Sequence, residues 1–195
     1  GNIELHKIFF GIMILLFIIT IVSQIFSGIQ YLGYSLFGLV YISLSCGLMV
    51  AMRSEEKFFS VDTGWIIPMI LIRSIWINDT MAYMVGSLIG KTSLSKISPK
   101  KTWEGTIGGA IDAVATVALG GYYLCGFTDI FSLIIIASIA VIAGTAGDLF
   151  ESKLKRMAGV KDSGSLMPGH GGFLDRFDSL LAAIPFVYLY VHFFM

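Results

Sequence analysis

The sequence contains 195 residues, of which 56% are hydrophobic and 13% are charged, and its formal net charge is zero. This composition lies outside the usual range of soluble domains and is typical of a protein that crosses a membrane several times. A zero net charge also argues against nucleic acid as a partner, because no overall positive field attracts it. Cys46 and Cys125 lie inside apolar runs, which predicts two buried thiols and no disulfide framework.

Long apolar runs follow one another along the chain, at residues 8–27, 32–52, 64–88, 105–125, 130–150 and 179–195. Most of them reach the roughly 20 residues that a helix needs to cross a hydrocarbon core of about 30 Å. Because lipid cannot satisfy backbone polar groups, we expect each run to be helical. We therefore predict an all-α polytopic membrane protein, in which residues 1–195 form a single integral membrane domain with about six transmembrane helices.

Positive charge concentrates in two loops between these runs, at about residues 89–104 and 151–178. Two helix crossings separate the loops, so both lie on the same side, which the positive-inside rule identifies as cytoplasmic. This topology places Gly1 on the opposite side. Since the chain also starts with glycine rather than methionine, we expect it to be part of a longer protein with an odd number of further N-terminal helices.

The third run is interrupted by Arg73, Asn78 and Asp79. These polar groups either form an ion pair that steadies the helix bundle or line a substrate cavity, and their spacing does not distinguish the two. The following loop carries Lys100 and Lys101 just before a predicted helix start near Glu104. A helix N-terminus next to two lysines is suited to a phosphate, although a solvated loop would have the same composition.

Polar side chains share one helical face at the end of the fifth run, at Asp148, Glu151, Ser152 and Lys155. Carboxylates beside cations on one face suit a metal ion bridged to phosphate, whereas a helix end with internal salt bridges is the alternative. Asp175 and Asp178 would supply a second carboxylate if the intervening loop folds back. The loop itself combines cations with glycines that allow the backbone to approach a ligand closely.

Ten or so fixed positions in this segment resemble the phosphatidate cytidylyltransferase family, also called CDP-diacylglycerol synthases. The matching residues are Ser152, Lys155, Arg156, Lys161, Asp162, His170, Gly171, Gly172, Asp175, Arg176 and Asp178. The stretches 78–83, 98–105 and 147–148 are similar to the family as well, and the resemblance runs from about residue 65 to the end. Family members usually have further N-terminal membrane helices, which this chain is expected to lack.

The resemblance implies an enzyme that transfers the cytidylyl group of CTP to phosphatidic acid, giving CDP-diacylglycerol and pyrophosphate for phospholipid biosynthesis. It implies a magnesium site at Asp148 and Asp175, with potassium as a candidate second ion. Catalytic roles are expected for Lys155, Arg156, Lys161, Asp162, His170, Arg176 and Asp178. Substrate binding is expected for Asn78, Asp79, Lys100, Lys101, Ser152, Gly171 and Gly172. The expected setting is a homodimer in the bilayer of a bacterial inner (cytoplasmic) membrane, with its active site on the cytoplasmic face.

Two other functions are compatible with parts of this pattern. A CTP-dependent polyprenol or lipid-alcohol kinase would share the polytopic layout and the CTP site, but the complete segment 170–178 favours the cytidylyltransferase. A transporter would place its polar groups near the helix centres. Here they concentrate at one membrane face, which makes a transporter the more remote alternative.

Overall fold

A computed structural model describes residues 18–19, 22, 32–54, 65–125, 129–164 and 172–195. Within these residues the chain forms five long helices, namely α1 (Leu32–Ser54), α2 (Ile66–Ile89), α3 (Trp103–Cys125), α4 (Ile130–Met157) and α5 (Leu174–Phe194). The predicted all-α architecture is confirmed. The first predicted run, 8–27, falls almost entirely outside the described residues.

Three of these helices are long and apolar enough to cross a membrane, counted over the described part of the chain. They are the segment Leu36–Arg53 of α1 and the whole of α4 and α5. The protein is therefore an integral membrane protein. The polar residues of α2, such as Asn78 and Asp79, lower the hydropathy of that helix, so the number of about six spans stays a prediction.

The core lies where the helices meet and is filled by large aliphatic side chains. Met52, Leu71, Ile136, Val187 and Val191 are fully buried and come from α1, α2, α4 and α5. Such interiors are close-packed, so the helices hold a fixed relative position. This rigidity matters because the polar residues at one end of the bundle come from different helices.

Glycines bring α2 and α3 into close contact. A Cβ atom added to Gly105 would lie 2.9 Å from the Gly86 Cα atom, and one added to Gly109 would lie 2.6 Å from the Asn78 carbonyl oxygen. Small residues allow this backbone approach, which is a common way for membrane helices to associate. The α2–α3 pair therefore forms a tight unit that fixes the loop between its two helices.

Two hydrogen bonds tie α1 to α5. The Tyr41 hydroxyl donates to the Asp178 carbonyl oxygen at 3.2 Å, and the Ser45 hydroxyl donates to the Leu181 carbonyl oxygen at 2.7 Å. Because residue numbers rise together along both helices, α1 and α5 run parallel. Cys46 lies beside this contact and is exposed, so the prediction of a buried thiol at this position is wrong.

Candidate metal and phosphate site

Three carboxylates from two helices meet at one end of the bundle. Asp148 and Glu151 lie one turn apart on α4, and Asp178 lies in the first turns of α5. One oxygen atom from each can be chosen so that all three lie within 4.8 Å of one another. Glu151 is 5% exposed and Asp178 is 7% exposed. We call these three residues the acidic trio.

Glycines on α4 make this convergence possible. A Cβ atom added to Gly147 would clash with the Ala182 side chain and lie 3.0 Å from the Asp178 carbonyl oxygen. Gly144 faces Ser179 in the same way, at ordinary contact distance. The backbone of α5 therefore lies directly against α4 at the level of the acidic trio, which sets the separation of the carboxylates.

The charges of the trio are only partly compensated. Glu151 Oε2 forms an ion pair with the Lys155 ammonium nitrogen at 2.5 Å, and Glu151 Oε1 is buried without a hydrogen-bond partner. Asp178 Oδ1 accepts a hydrogen bond from the Ser179 backbone N–H at 2.6 Å. Because buried carboxylates that repel one another are costly unless a cation pairs with them, the donor set fits a hard divalent cation.

Asp175 has a different set of partners. Its Oδ1 atom accepts from the Lys155 ammonium group at 2.6 Å, and its Oδ2 atom accepts from the Gly172 backbone N–H at 2.6 Å. The backbone N–H and the hydroxyl of Ser163 also donate to Oδ2, each at 2.9 Å. Asp175 thus joins the start of α5 to the loop that precedes it, and Lys155 links Asp175 to the acidic trio.

A polar pocket of about 540 Å³ adjoins the trio. Its lining includes Asn78 and Asp79 of α2, Lys100 and Lys101 of the α2–α3 loop, and Asp148. The Lys101 ammonium group forms an ion pair with Asp148. Burial lowers the pKa of the Lys101 side chain, and the nearby carboxylates of Asp79 and Asp178 partly oppose that shift. The pocket therefore combines cations with the same aspartate that belongs to the trio.

Asn78 contributes an unsatisfied acceptor to this pocket. Its side chain is 4% exposed, and its Oδ1 atom is buried without a hydrogen-bond partner. Its amide nitrogen donates to Asp79 Oδ1 at 3.3 Å. A buried polar atom without a partner is costly in a folded protein, so this oxygen is available to a ligand donor such as an amino or hydroxyl group.

The loop that carries Lys100 and Lys101 is held in a short hairpin. Ser93 and Thr102 form an antiparallel bridge, and the Trp103 N–H donates to the Thr92 carbonyl oxygen at 2.9 Å. The Glu104 carboxylate accepts from the backbone N–H groups of Lys91 and Thr92 at 3.2 Å. A hydrogen bond from the backbone N–H of Glu104 itself, with others from the Thr92 side chain and from the backbone N–H groups of Thr92 and Lys91, lowers the pKa of Glu104 to about 2.

Comparison with known proteins identifies the family to which these residues belong. A family model described as the cytidylyltransferase family matches residues 2–194. This chain belongs to the cytidylyltransferase family.

Several curated relatives are identical to this chain at more than a third of the aligned positions. This chain is 36% identical over 179 residues to phosphatidate cytidylyltransferase 4, chloroplastic, of Arabidopsis thaliana. The alignment covers 87% of this chain and 45% of that protein. It is 45% identical over 126 residues to the phosphatidate cytidylyltransferase of Haemophilus influenzae, covering 62% of this chain and 43% of that protein. With the enzyme of that name from Staphylococcus haemolyticus, the identity is 35% over 186 residues, covering 95% of this chain and 68% of the relative. The chain thus spans less than half the length of the first two.

The structure brings some of the predicted site residues together. Asp148 and Asp178 meet in the trio, Ser152 donates to Asp148 Oδ1 at 3.4 Å, and Lys155 bridges Glu151 and Asp175. Asn78, Asp79, Lys100 and Lys101, to which the resemblance assigned substrate binding, line one pocket. Their functional roles stay predictions.

Of the remaining predicted residues, four are exposed, one donates a hydrogen bond to Asp175, and two lie outside the described residues. The Arg156 guanidinium group donates to the carbonyl oxygen of Val160, just after the end of α4, at 3.3 Å. Lys161, Asp162 and Arg176 are exposed, and Gly172 is buried beside Ser163. His170 and Gly171 lie outside the described residues.

The sequence prediction did not include Glu151 among the site residues. The helical periodicity placed Glu151 on the same face as Asp148, three positions further along, and that signal was sufficient to nominate it. The residue pattern did not decide which aspartate lies beside Asp148, because either Asp175 or Asp178 could turn toward α4. In the structure Asp178 joins the trio and Asp175 contacts the loop.

Proposed function

We propose that this chain carries the catalytic site of a phosphatidate cytidylyltransferase, which transfers the cytidylyl group of CTP to phosphatidic acid and releases pyrophosphate. The observation that carries the proposal is the acidic trio beside a cationic pocket, in a chain of the cytidylyltransferase family. The names of its relatives support the choice of phosphatidate as the acceptor.

Within this proposal, magnesium is the resident cation and the acidic trio holds it. When bound, magnesium neutralises the phosphate charge that develops in the transition state and orients the phosphates. The resemblance to the family implied Asp148 and Asp175 as the ligands. The trio supports Asp148, Glu151 and Asp178 instead, because the hydrogen bonds of Asp175 already engage both of its oxygen atoms.

The residues of the chain would act chiefly by binding and by charge. An oxygen atom of the phosphatidate phosphate attacks the α-phosphorus of CTP, a new P–O bond forms, and the bond to the β-phosphate breaks as pyrophosphate leaves with the electron pair. A phosphate monoester is already largely ionised near neutral pH, so no protein base has to remove a proton from it. The Lys100 and Lys101 ammonium groups are placed to stabilise phosphate oxygens in the pocket.

We also propose that the site faces the cytoplasm. The trio, the end of α2, the start of α3, the end of α4 and the start of α5 lie at one end of the bundle, where the basic loops are. The positive-inside rule assigns such an end to the cytoplasmic side, where CTP is available. The homodimer implied by the family resemblance belongs to this proposal as well.

Labelled nucleotide distinguishes this function from lipid phosphorylation. The chain is incubated in phosphatidate-containing vesicles with CTP that is labelled at either the α- or the γ-phosphate, and the lipids are separated by thin-layer chromatography. We expect the lipid product to carry the α-label and never the γ-label. Labelling from γ alone would indicate a lipid kinase, and labelling from neither nucleotide would reject the transferase.

Two aspartate variants test the metal assignment separately. Asp148→Asn should abolish both turnover and the thermal stabilisation by magnesium. Asp175→Asn should keep that thermal stabilisation, because the trio is intact, while losing activity through displacement of Lys155. The trio is not the metal site if Asp175→Asn removes the magnesium effect and Glu151→Gln preserves it.

A further inference from the structure

Two lysines reach the acidic trio, and they differ in the partners that they would keep if a metal ion bound there. The Lys155 ammonium group contacts two carboxylates, Glu151 at 2.5 Å and Asp175 at 2.6 Å. The Lys101 ammonium group pairs with one carboxylate, that of Asp148, among the residues that the structure describes. Lys155 therefore keeps a partner outside the trio when Glu151 turns to another cation, whereas Lys101 loses its ion pair when Asp148 does.

A metal ion in the trio competes with Lys101 for Asp148. Both oxygen atoms of this carboxylate are engaged, since Oδ2 pairs with the Lys101 ammonium group and Oδ1 accepts from the Ser152 hydroxyl at 3.4 Å. The side chains of Lys101 and Asp148 are 31% and 24% exposed, so water screens their charges only in part. An ammonium group and a divalent cation on one such carboxylate repel each other strongly. Metal binding by the trio therefore favours a Lys101 side chain that has left Asp148.

The Lys101 side chain can change partners while its loop stays in place. The Lys101 backbone N–H donates to the Ser98 carbonyl oxygen at 3.1 Å, and the Lys101 carbonyl oxygen accepts from the Leu94 N–H at 2.8 Å. These hydrogen bonds fix the backbone on both sides of the residue. A lysine side chain is a flexible four-carbon stem that ends in three donors. Rotation of the stem alone is thus sufficient to move the ammonium group.

The charges around Lys101 direct the released ammonium group into the polar pocket. Asp79 and Asp178 attract it and Lys155 repels it. A divalent cation in the trio offsets the charge of Asp178, which leaves Asp79 as the remaining attraction, and Asp79 lines the pocket together with Lys100 and Lys101. A phosphate group carries more negative charge than one carboxylate and has three acceptor oxygens, so it binds this ammonium group in preference to Asp79.

We propose that Lys101 exchanges Asp148 for a nucleotide phosphate when the trio binds a divalent cation, so that metal binding prepares the pocket for the nucleotide. The inference rests on the proposed function and adds to it a coupling between two of its ligands. By thermodynamic reciprocity, each ligand raises the affinity for the other by the same factor. The freed ammonium group adds to the contribution that the metal makes by contacting the phosphates directly.

Metal binding without nucleotide gives the first test. The chain is titrated in detergent with manganese as the probe for the magnesium site, and free manganese is measured by electron paramagnetic resonance. Removal of the competing ammonium group in Lys101→Met should lower the manganese Kd at least about fivefold. Lys100→Met removes the same charge from the adjacent residue and should change the Kd less than about twofold. An unchanged or raised Kd in Lys101→Met would overturn the proposal, as would an equal fall in both variants.

Nucleotide binding with and without metal gives the second test. The probe is a CTP analogue with a methylene group between the α- and β-phosphates, and its Kd is measured by calorimetry with saturating magnesium and with a chelator. Lys101→Met should raise this Kd at least about fivefold with magnesium and less than about twofold without it, because Asp148 then still holds Lys101. Lys100→Met should raise the Kd by similar factors in both conditions.

Two results of the second test would contradict the exchange. If Lys101→Met weakens binding of the analogue equally with and without magnesium, Lys101 is a permanent phosphate contact. If it does not weaken binding in magnesium, the ion pair with Asp148 is structural. Lys101→Gln, which keeps a polar end, replaces Lys101→Met in both titrations if the methionine variant has a lowered Tm in chelator.

The titrations separate the failure of this proposal from the failure of the proposed function. If the wild type transfers the cytidylyl group and Lys101→Met matches it in both titrations, the exchange is wrong and the transferase stands. If the wild type binds manganese and the analogue but transfers no cytidylyl group, the proposed function fails and the titrations still decide the exchange. A wild type that binds no manganese overturns the exchange, and the labelled-nucleotide assay then decides the transferase.

Discussion

Replacing Glu151 with glutamine removes one charge from the acidic trio and keeps its shape. At 4.8 Å and an effective dielectric constant of about 20, two carboxylates repel each other by roughly 3.5 kcal/mol. Glu151 therefore contributes roughly 7 kcal/mol of repulsion against Asp148 and Asp178. Its attraction to Lys155 at 2.5 Å is also roughly 7 kcal/mol on the same scale. Because these terms nearly cancel, we expect Glu151→Gln to have nearly wild-type stability without magnesium.

The effect of Glu151→Gln should appear when magnesium is added. If loss of this carboxylate weakens magnesium binding about 100-fold, the stabilisation by saturating magnesium falls by up to about 2.7 kcal/mol. For a chain of this size that corresponds to a loss of about 5–10 °C in the magnesium-induced rise of Tm. The measurement is the Tm in detergent with and without magnesium. The rate of cytidylyl transfer is then measured at several magnesium concentrations.

A carboxylate outside the trio provides the control. Asp112 lies on α3, so Asp112→Asn changes the same net charge without altering the trio. We expect it to keep the full magnesium-induced rise in Tm. The reasoning is refuted if Glu151→Gln shows the same rise as the wild type, or if it unfolds far more easily than the wild type in the absence of magnesium.

Three further changes test the support around the site. Gly147→Ala should push α5 away from α4 and lower both magnesium affinity and activity at least about tenfold. The control is Gly120→Ala, which should be neutral because a Cβ atom added there meets nothing within 4 Å. Because the pKa of Glu104 is lowered to about 2, its contribution to stability is present above its ordinary pKa near 4.5 and is lost as the pH falls toward 2. Glu104→Gln should therefore speed hydrogen exchange of residues 91–103 at pH 7 and remove this acid-dependent step. Lys101→Met should raise the KM for CTP about tenfold, and Lys96→Met, outside the pocket lining, should not.

Apolar runs predicted the five described helices well, and the largest errors in their bounds lie at the end of α4 and the start of α5. The fifth run stops at residue 150, whereas α4 continues to Met157. Lys155 and Arg156 favour the helical C-terminus electrostatically, and the helix ends where Gly159 adopts a φ of 72° and the Val160 N–H donates to the Lys155 carbonyl oxygen. Hydropathy marks where a helix leaves the apolar layer, and the terminating hydrogen bonds lie beyond that point.

For the site as well, residue type and spacing predicted some of the contacts, and the packing of the helices determined the others. Asp148 and Lys101 followed from residue type and position, and the structure places them in contact. The choice between Asp175 and Asp178 depends on how α5 is rotated against α4, which is set by the close approach at Gly147. A rotation of that kind is a property of the packed bundle, so no pattern within α5 alone predicts it.

The polar pocket and the acidic trio share Asp148, so a ligand in that pocket lies beside the trio. In the proposed reaction phosphatidate attacks CTP directly, which requires both substrates to be bound at this place together. We therefore expect a sequential mechanism through a ternary complex. Initial-rate plots against CTP at several phosphatidate concentrations should intersect, whereas parallel lines would indicate that the nucleotide first transfers its group to the protein.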